Sequence, residues 1–212
     1  MTVTRISTEP GQRVLLRKIS WDMYERLLEA HLDQRVPRFT YDKGDLEIMS
    51  PSDEHEQLAD AVRHLVHLAA EVLRINLKGY GSTTFRRRDI KRGFEPDACF
   101  YSKNLYRVLG KKSKLDLLKD PPPDLVVEID LGRSSLNKES IMAQFGVPEL
   151  WRYRRRSWRI LVLTPGGYRE QSESSILPGL TRALITTLIE QSRTVEPLAW
   201  NRTVRRVLSR EF

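Results

Sequence analysis

The chain is predicted to be α/β, on the border with α+β: a mixed central sheet flanked by helices. Three observations lead there. Leu58, Val62, Leu65, Val66, Ala69, Val72 and Leu73 recur at three- and four-residue spacing, which gives one long helix a single buried face. Residues 124–131 contain Leu-Val-Val-Glu-Ile, the nearly continuous apolar run of a central strand covered on both faces. Shorter strand-like and helix-like segments alternate around these two, with no internal repeat, low-complexity tract or long linker.

Taken in order, residues 1–18 read as a flexible leader without the apolar core of a signal peptide. Residues 19–212 read as one domain, since 212 residues suffice for one substantial core. Ser20 can cap a helix running to about residue 31, with Trp21, Tyr24, Leu27 and Leu28 as its apolar stripe. Phe39-Thr40-Tyr41 and Leu46-Glu47-Ile48-Met49 flank Asp42-Lys43-Gly44-Asp45, which makes a β-hairpin around a glycine turn. Ser50-Pro51-Ser52 opens the long helix, and Gly79 and Gly81 are expected to end it. Residues 83–88 and 98–101 read as strands. Pro121-Pro122-Pro123 punctuates the entry to the central strand. Ser134 or Ser135 is expected to cap a short helix through Phe145, closed by Gly146. Residues 150–153 and 158–163 read as two more strands, and 180–191 as a closing helix.

Composition narrows the function classes. Charged residues make up 30% of the chain and hydrophobic ones 40%, which are globular proportions. No apolar run is long enough to span a bilayer, so the default location is the cytoplasm, with no membrane partner. The single cysteine, Cys99, excludes an intrachain disulfide and a multi-cysteine zinc site. A net charge of +8 attracts polyanions, DNA foremost. The positive charge is clustered: Arg86-Arg87-Arg88 with Lys91 and Arg92; Lys111, Lys112 and Lys114; and Arg152, Arg154, Arg155, Arg156 and Arg159. Each group also suits an ordinary solvated strand edge.

Three features suggest chemistry: Glu95-Pro96-Asp97 just before an apolar strand, Glu128 inside the most hydrophobic strand, and Lys138 on the helix after it. A carboxylate in a buried strand is costly unless it is paired or binds a metal. The period of two in a strand puts Glu128 and Asp130 on one face, about 7 Å apart. Converging oxygen ligands suit Mg²⁺, and a lysine beside them can orient a water or stabilise charge at phosphorus. Without metal, facing Asp97 and Glu128 carboxylates are expected to repel. The competing reading is structural, with Glu128 salt-bridged at a sheet end. His64 and His67, three apart on the long helix, read as solvated or packed, and His31 as a helix-end residue. Trp151, Tyr153 and Trp158 read as core aromatics that could also stack bases, and Cys99 as a small buried hydrophobe.

The run from Glu95 to Tyr101, then Pro122-Pro123-Asp124-Leu125-Val126-Val127-Glu128-Ile129-Asp130, Ser134-Ser135-Leu136-Asn137-Lys138 and Gly146-Val147-Pro148-Glu149-Leu150-Trp151 resembles the Uma-two family. So do Gly44 to Ser52 with His55-Glu56, and Leu177-Pro178-Gly179-Leu180. That family is counted among restriction endonuclease-like proteins of the PD-(D/E)XK nuclease superfamily. The resemblance implies a PD-(D/E)XK-like sheet core, divalent metal (Mg²⁺, with Mn²⁺ as substitute) and DNA cleavage through a metal-activated water. By motif Asp97 and Glu128 are the paired acids, and Lys138 is the lysine, displaced from the usual place, where Asp130 stands. Asp130, Glu47 and Glu56 are candidates to complete the metal shell. Arg86, Arg87, Arg88, Lys91 and Arg92 are candidates for DNA contact, and a homodimer is an open expectation. The alternatives are a non-catalytic DNA-binding or assembly protein on the same fold, and a hydrolase of another phosphodiester.

Overall fold

The computed structural model describes residues 10–31, 36–111, 115–132 and 134–209. Their elements run β1 (Arg13–Leu16), α1 (Trp21–Ala30), β2 (Arg38–Asp42), β3 (Asp45–Met49), α2 (Asp53–Val72), β4 (Lys78–Gly81), β5 (Phe85–Arg87), β6 (Arg92–Phe94) and β7 (Ala98–Tyr101). There follow α3 (Leu105–Val108), β8 (Leu125–Asp130), α4 (Lys138–Gln144), β9 (Glu149–Arg154), β10 (Ser157–Thr164), β11 (Gly167–Gln171), α5 (Arg182–Ser192) and α6 (Pro197–Leu208). The architecture is α/β, with two sheets in place of the one expected. One has the order β1-β3-β2-β6-β5 and is antiparallel throughout. The other has the order β11-β10-β9-β8-β7-β4, and β8 and β9 are its parallel pair. A parallel pair needs a crossover, and α4 lies within it.

The helices form where the pattern and caps call for them. Ser20 accepts from the Met23 N–H at 3.2 Å and opens α1. Trp21, Tyr24, Leu27 and Leu28 of that helix are buried against Phe39, Tyr41, Leu46 and Ile48 of the β2–β3 hairpin. Ser52 caps α2, and Asp53, Glu54 and Glu56 in its first turn complement the helix dipole. Its apolar stripe packs with α5 and α6 on one face of the six-stranded sheet, against Leu125, Val127 and Ile129. The opposite face, with Cys99, Val126 and Leu150, packs on Ile141 and Met142 of α4 and on Phe85 and Phe94 of the other sheet. Among the described residues no helix is long and apolar enough to cross a membrane.

Some boundaries differ from expectation. The long helix stops at Val72, and Gly79 and Gly81 lie in β4. Arg74, at φ 55°, already turns the chain, so the glycines are not needed to end the helix. The supposed leader contributes β1, which pairs antiparallel with β3 from Arg13↔Met49 to Leu16↔Leu46. Four residues carry no readable period, and this strand is specified by its partner. Residues 1–9 of that leader, and Lys112 and Lys114 of the second basic cluster, lie outside the described residues.

One glycine is required by close approach. Gly93 on β6 faces the buried Tyr24 ring, and a β-carbon there would sit 2.9 Å from Tyr24 Cζ. Gly93→Ala is expected to lower stability by about 1–3 kcal/mol through overpacking. A urea melt against wild type measures it, and an unchanged midpoint would show that the α1 contact yields.

Candidate active site

Strands β7 and β8 pair with Ala98 opposite Val127, so one step outward Asp97 and Glu128 meet at the same end of the sheet. Alternation directs both to the face of Cys99 and Val126, opposite the one that the apolar stripe of α2 covers. Asp97 is held by an acceptor bond, the Ile129 N–H donating to its Oδ2 at 2.6 Å. Glu95, two residues earlier, accepts from the Phe39 N–H and the Thr84 hydroxyl, which ties the Glu95-Pro96-Asp97 turn to the other sheet. Asp97 and Glu128 are each 1% exposed.

Burial of two acids demands positive partners. Lys138 Nζ donates to Glu128 Oε2 at 2.5 Å and lies 3.8 Å from Asp130 Oδ1. The lysine is the first residue of α4, so the helix start returns it over the strand end. Asn137 caps that helix by accepting from the Ser140 N–H, in place of Ser134 or Ser135. Both serines are engaged earlier, by Glu47. Arg38, at the start of β2, puts its guanidinium on Asp97 Oδ1 and donates to Glu56 Oε1 at 2.7 Å. The expected bare repulsion between Asp97 and Glu128 is therefore absent: Arg38 neutralises one acid and Lys138 the other.

The remaining acids are placed differently. Asp130 is bound by Arg152, whose Nε and Nη2 reach its Oδ2 at 2.8 and 2.7 Å, with Arg13 Nη2 3.5 Å from its Oδ1. Glu47 accepts from Arg13 Nη1 at 2.8 Å, from the Ser134 hydroxyl and from the Ser135 N–H at 2.7 Å, so it anchors the loop between β8 and α4. Glu56 is half exposed and pairs with Arg38. His55, on the first turn of α2, is 3% exposed and brings Nε2 to 3.3 Å from Asp97 Oδ1.

The electrostatics follow from burial within a field of cations. Burial, reinforced by Arg38, Lys138 and Arg13, lowers the His55 pKa to about 3, so its imidazole is neutral. Burial raises the Glu128 carboxyl above its ordinary value, and Lys138 pulls the other way. Burial also acts to raise Asp130, but Lys138 and Arg152 outweigh it and hold that acid below the usual range.

Among the described residues, seven buried side-chain polar atoms lack a hydrogen-bond partner, and five gather here: Arg38 Nε and Nη1, both His55 nitrogens and Asp130 Oδ1. Arg38 Nη1 and His55 Nε2 do approach Asp97, without hydrogen-bond geometry. Arg38 can only donate, so of these five only the His55 nitrogens and Asp130 Oδ1 could face a cation. No group of three or more His, Cys, Asp or Glu among the described residues forms a ready-made metal cluster. Mg²⁺ needs only one or two carboxylates because it keeps several waters. Asp97 and Glu128 supply that donor set and fit it.

The basic group 86–92 is largely matched by its own acids. Arg87 pairs with Asp89, Arg88 with Asp22 and Glu25, and Arg92 with Asp42. His64 bonds Asn201 Oδ1 and stacks on Trp200, while His67 packs edge-on to Phe100. His31 is the C-cap of α1, its Nδ1 2.8 Å from Leu27 O. Trp151, Tyr153 and Trp158 lie in the core, and burial pushes the Cys99 thiol up to about 12. Arg38, Arg13 and Arg152, the cations that wire the acids together, had not been tied to the site. Arg38 and Arg13 lie far from it in sequence and carry no local pattern, so only the fold brings them in.

A family model described as Uma2, "putative restriction endonuclease", matches residues 21–196. The fold is similar to a crystal structure described as a "putative nuclease belonging to DUF820" from Anabaena variabilis. The TM-score is 0.58 at 12% identity, over 81% of this chain and 99% of that one. No curated protein matches the chain.

Proposed function

Because the chain belongs to the Uma2 family of restriction endonuclease-like proteins, we propose that it is a DNA endonuclease dependent on a divalent metal, Mg²⁺ with Mn²⁺ as substitute. The observation that carries this reading is the meeting of buried Asp97 and Glu128 at adjacent strand ends with Lys138 on Glu128. In this reading Asp97 and Glu128 hold the ion, and residues 19–212 together with β1 act as one nuclease domain. When bound, the ion supplies Lewis acidity at the scissile phosphate and acidifies a water.

The chain's own groups do the rest. The Ile129 N–H fixes the Asp97 carboxylate, and Lys138 fixes Glu128. As charge builds on the phosphate oxygens, the Lys138 ammonium is placed to offset it. Arg38 must let go of Asp97 for the acid to serve as a ligand, and Glu56 offers its guanidinium a second acceptor. Asp130 is held by Arg152 and Arg13, so its part is to orient Lys138.

The test is nicking of supercoiled plasmid by wild type with Mg²⁺ or Mn²⁺, against an EDTA control. Cleavage that needs the ion is expected. Plasmid left intact with either ion would favour the non-catalytic DNA-binding reading.

A further inference from the structure

Strands β8 and β9 run parallel, with Glu128 opposite Arg152 and Asp130 opposite Arg154. Their carboxyl ends therefore lie side by side, and the turn from β9 to β10 emerges beside the Asp97–Glu128 site. At that end is a cavity of about 340 Å³ lined by Asp130, Leu131, Gly132, Arg154 and Arg155. Its acid, Asp130, is already bound by Arg152, with Arg13 and Lys138 close by. Among the described lining residues the charged groups are this paired acid and the guanidiniums of Arg154 and Arg155.

Those guanidiniums differ from Arg152 and Arg159 of the same hairpin. Arg152 pairs with Asp130 and Glu139, and Arg159 with Glu139 and Glu170. Among the described residues Arg154, Arg155 and Arg156 have neither an ion pair nor a side-chain hydrogen bond. Arg155 and Arg156 form the turn itself at φ 51° and 61°, where Asn and Gly are the usual occupants. Arg155 and Arg156 are exposed, and Arg154 is half-buried at the strand end.

We infer that the end of β9 is a subsite for a DNA backbone phosphate flanking the bond to be cut, held by Arg154 and Arg155 over the Leu131–Gly132 turn. The inference rests on the nuclease reading and adds to it which surface meets the substrate. Two observations made separately support it: unpaired arginines, and a cavity that joins them to the strand end carrying Glu128. The 86–92 hairpin, whose Arg87, Arg88 and Arg92 are held by acids, is a lesser contributor.

The experiment is fluorescence anisotropy of a labelled duplex in EDTA, so that binding is read without cutting, across a series of salt concentrations. The proteins are wild type, Arg154→Ala/Arg155→Ala and Arg154→Lys/Arg155→Lys, each with its melting temperature. For the alanine pair at low salt, binding at least about tenfold weaker is expected, with a log–log salt slope shallower by about 1, the loss of one phosphate contact. The lysine pair keeps the slope, since an ammonium still meets a phosphate as a point charge. An alanine pair that binds with the wild-type slope, while wild type nicks plasmid, overturns this subsite and leaves the nuclease reading intact. A wild type that binds no duplex at any salt, and nicks none, overturns both. A fall in melting temperature common to the alanine and lysine pairs, with binding lost in both, assigns the arginines a structural role and also overturns the subsite.

Discussion

Asp97→Ala is expected to abolish metal-dependent nicking and, in the same variant, to destabilise the metal-free protein by about 3–5 kcal/mol. The first effect follows if Asp97 is a ligand, because losing it removes the Lewis acid and the water it activates. The second follows from what the carboxylate does without metal. It accepts the Ile129 N–H at the end of β8 and holds the Arg38 guanidinium, which is 7% exposed. Alanine orphans the buried amide and leaves the buried cation with Glu56 as its remaining acidic partner. Asp97→Asn separates the two effects. An asparagine oxygen can still accept from Ile129, so about half of the lost stability should return while nicking stays abolished. Urea melts and plasmid nicking on the three proteins measure this. Full stability in the alanine variant would mean that its existing partner Glu56 satisfies Arg38 alone. Nicking retained by both variants would remove Asp97 from the site.

Why Asp97 and Glu128 were legible in the sequence, and Arg38 was not, is a matter of range. Glu128 stands out because a charge inside Leu-Val-Val-Glu-Ile is costly whatever surrounds it. Asp97 follows from a proline-led turn into an apolar strand, and Lys138 from a helix beginning soon after Glu128. All three signals are local. The hairpin β2–β3, the α1 stripe and the face of α2 were legible for the same reason, since period and caps sit within one segment. Strand β1 and the split into two sheets depend on which strands pair, and no single segment encodes that. Glu149 shows the limit of motif reading. Its Gly146-Val147-Pro148-Glu149-Leu150-Trp151 run was part of the family resemblance. Its carboxylate proves fully engaged by Trp151 Nε1, both Ser174 and Ser175 hydroxyls and the Ser175 N–H. It anchors the segment between β11 and α5. Arg38, Arg13 and Arg152 reach the acids only through tertiary packing, and they change the energetics most: a site expected to be strained by like charges is instead a set of cation-matched pairs.

That change reverses the expected result for the second acid. If Glu128 and Asp97 repelled each other, Glu128→Gln would stabilise the metal-free protein. With Lys138 Nζ 2.5 Å from Glu128 Oε2 and both side chains at most 5% exposed, glutamine instead leaves a buried ammonium without its counter-charge. Glu128→Gln is therefore expected to cost about 3 kcal/mol, as is Lys138→Met, which strands the carboxylate. The double variant Glu128→Gln/Lys138→Met buries no unpaired charge at this position and should recover most of either loss, a coupling energy of about 2 kcal/mol or more. Asp130 limits the recovery in part, because Lys138 also lies 3.8 Å from its Oδ1, but Arg152 and Arg13 remain to hold it. Metal adds a second axis to the same cycle. Wild type should melt higher with Mg²⁺ by mass action on the native state, and so should Lys138→Met, since an ammonium is not a ligand. Glu128→Gln and the double variant should show little or no rise. Thermal melts of four proteins with and without Mg²⁺ give both quantities at once. Additive single losses would dissolve the pair, and an equal Mg²⁺ response in wild type and Glu128→Gln would take Glu128 out of the ligand set.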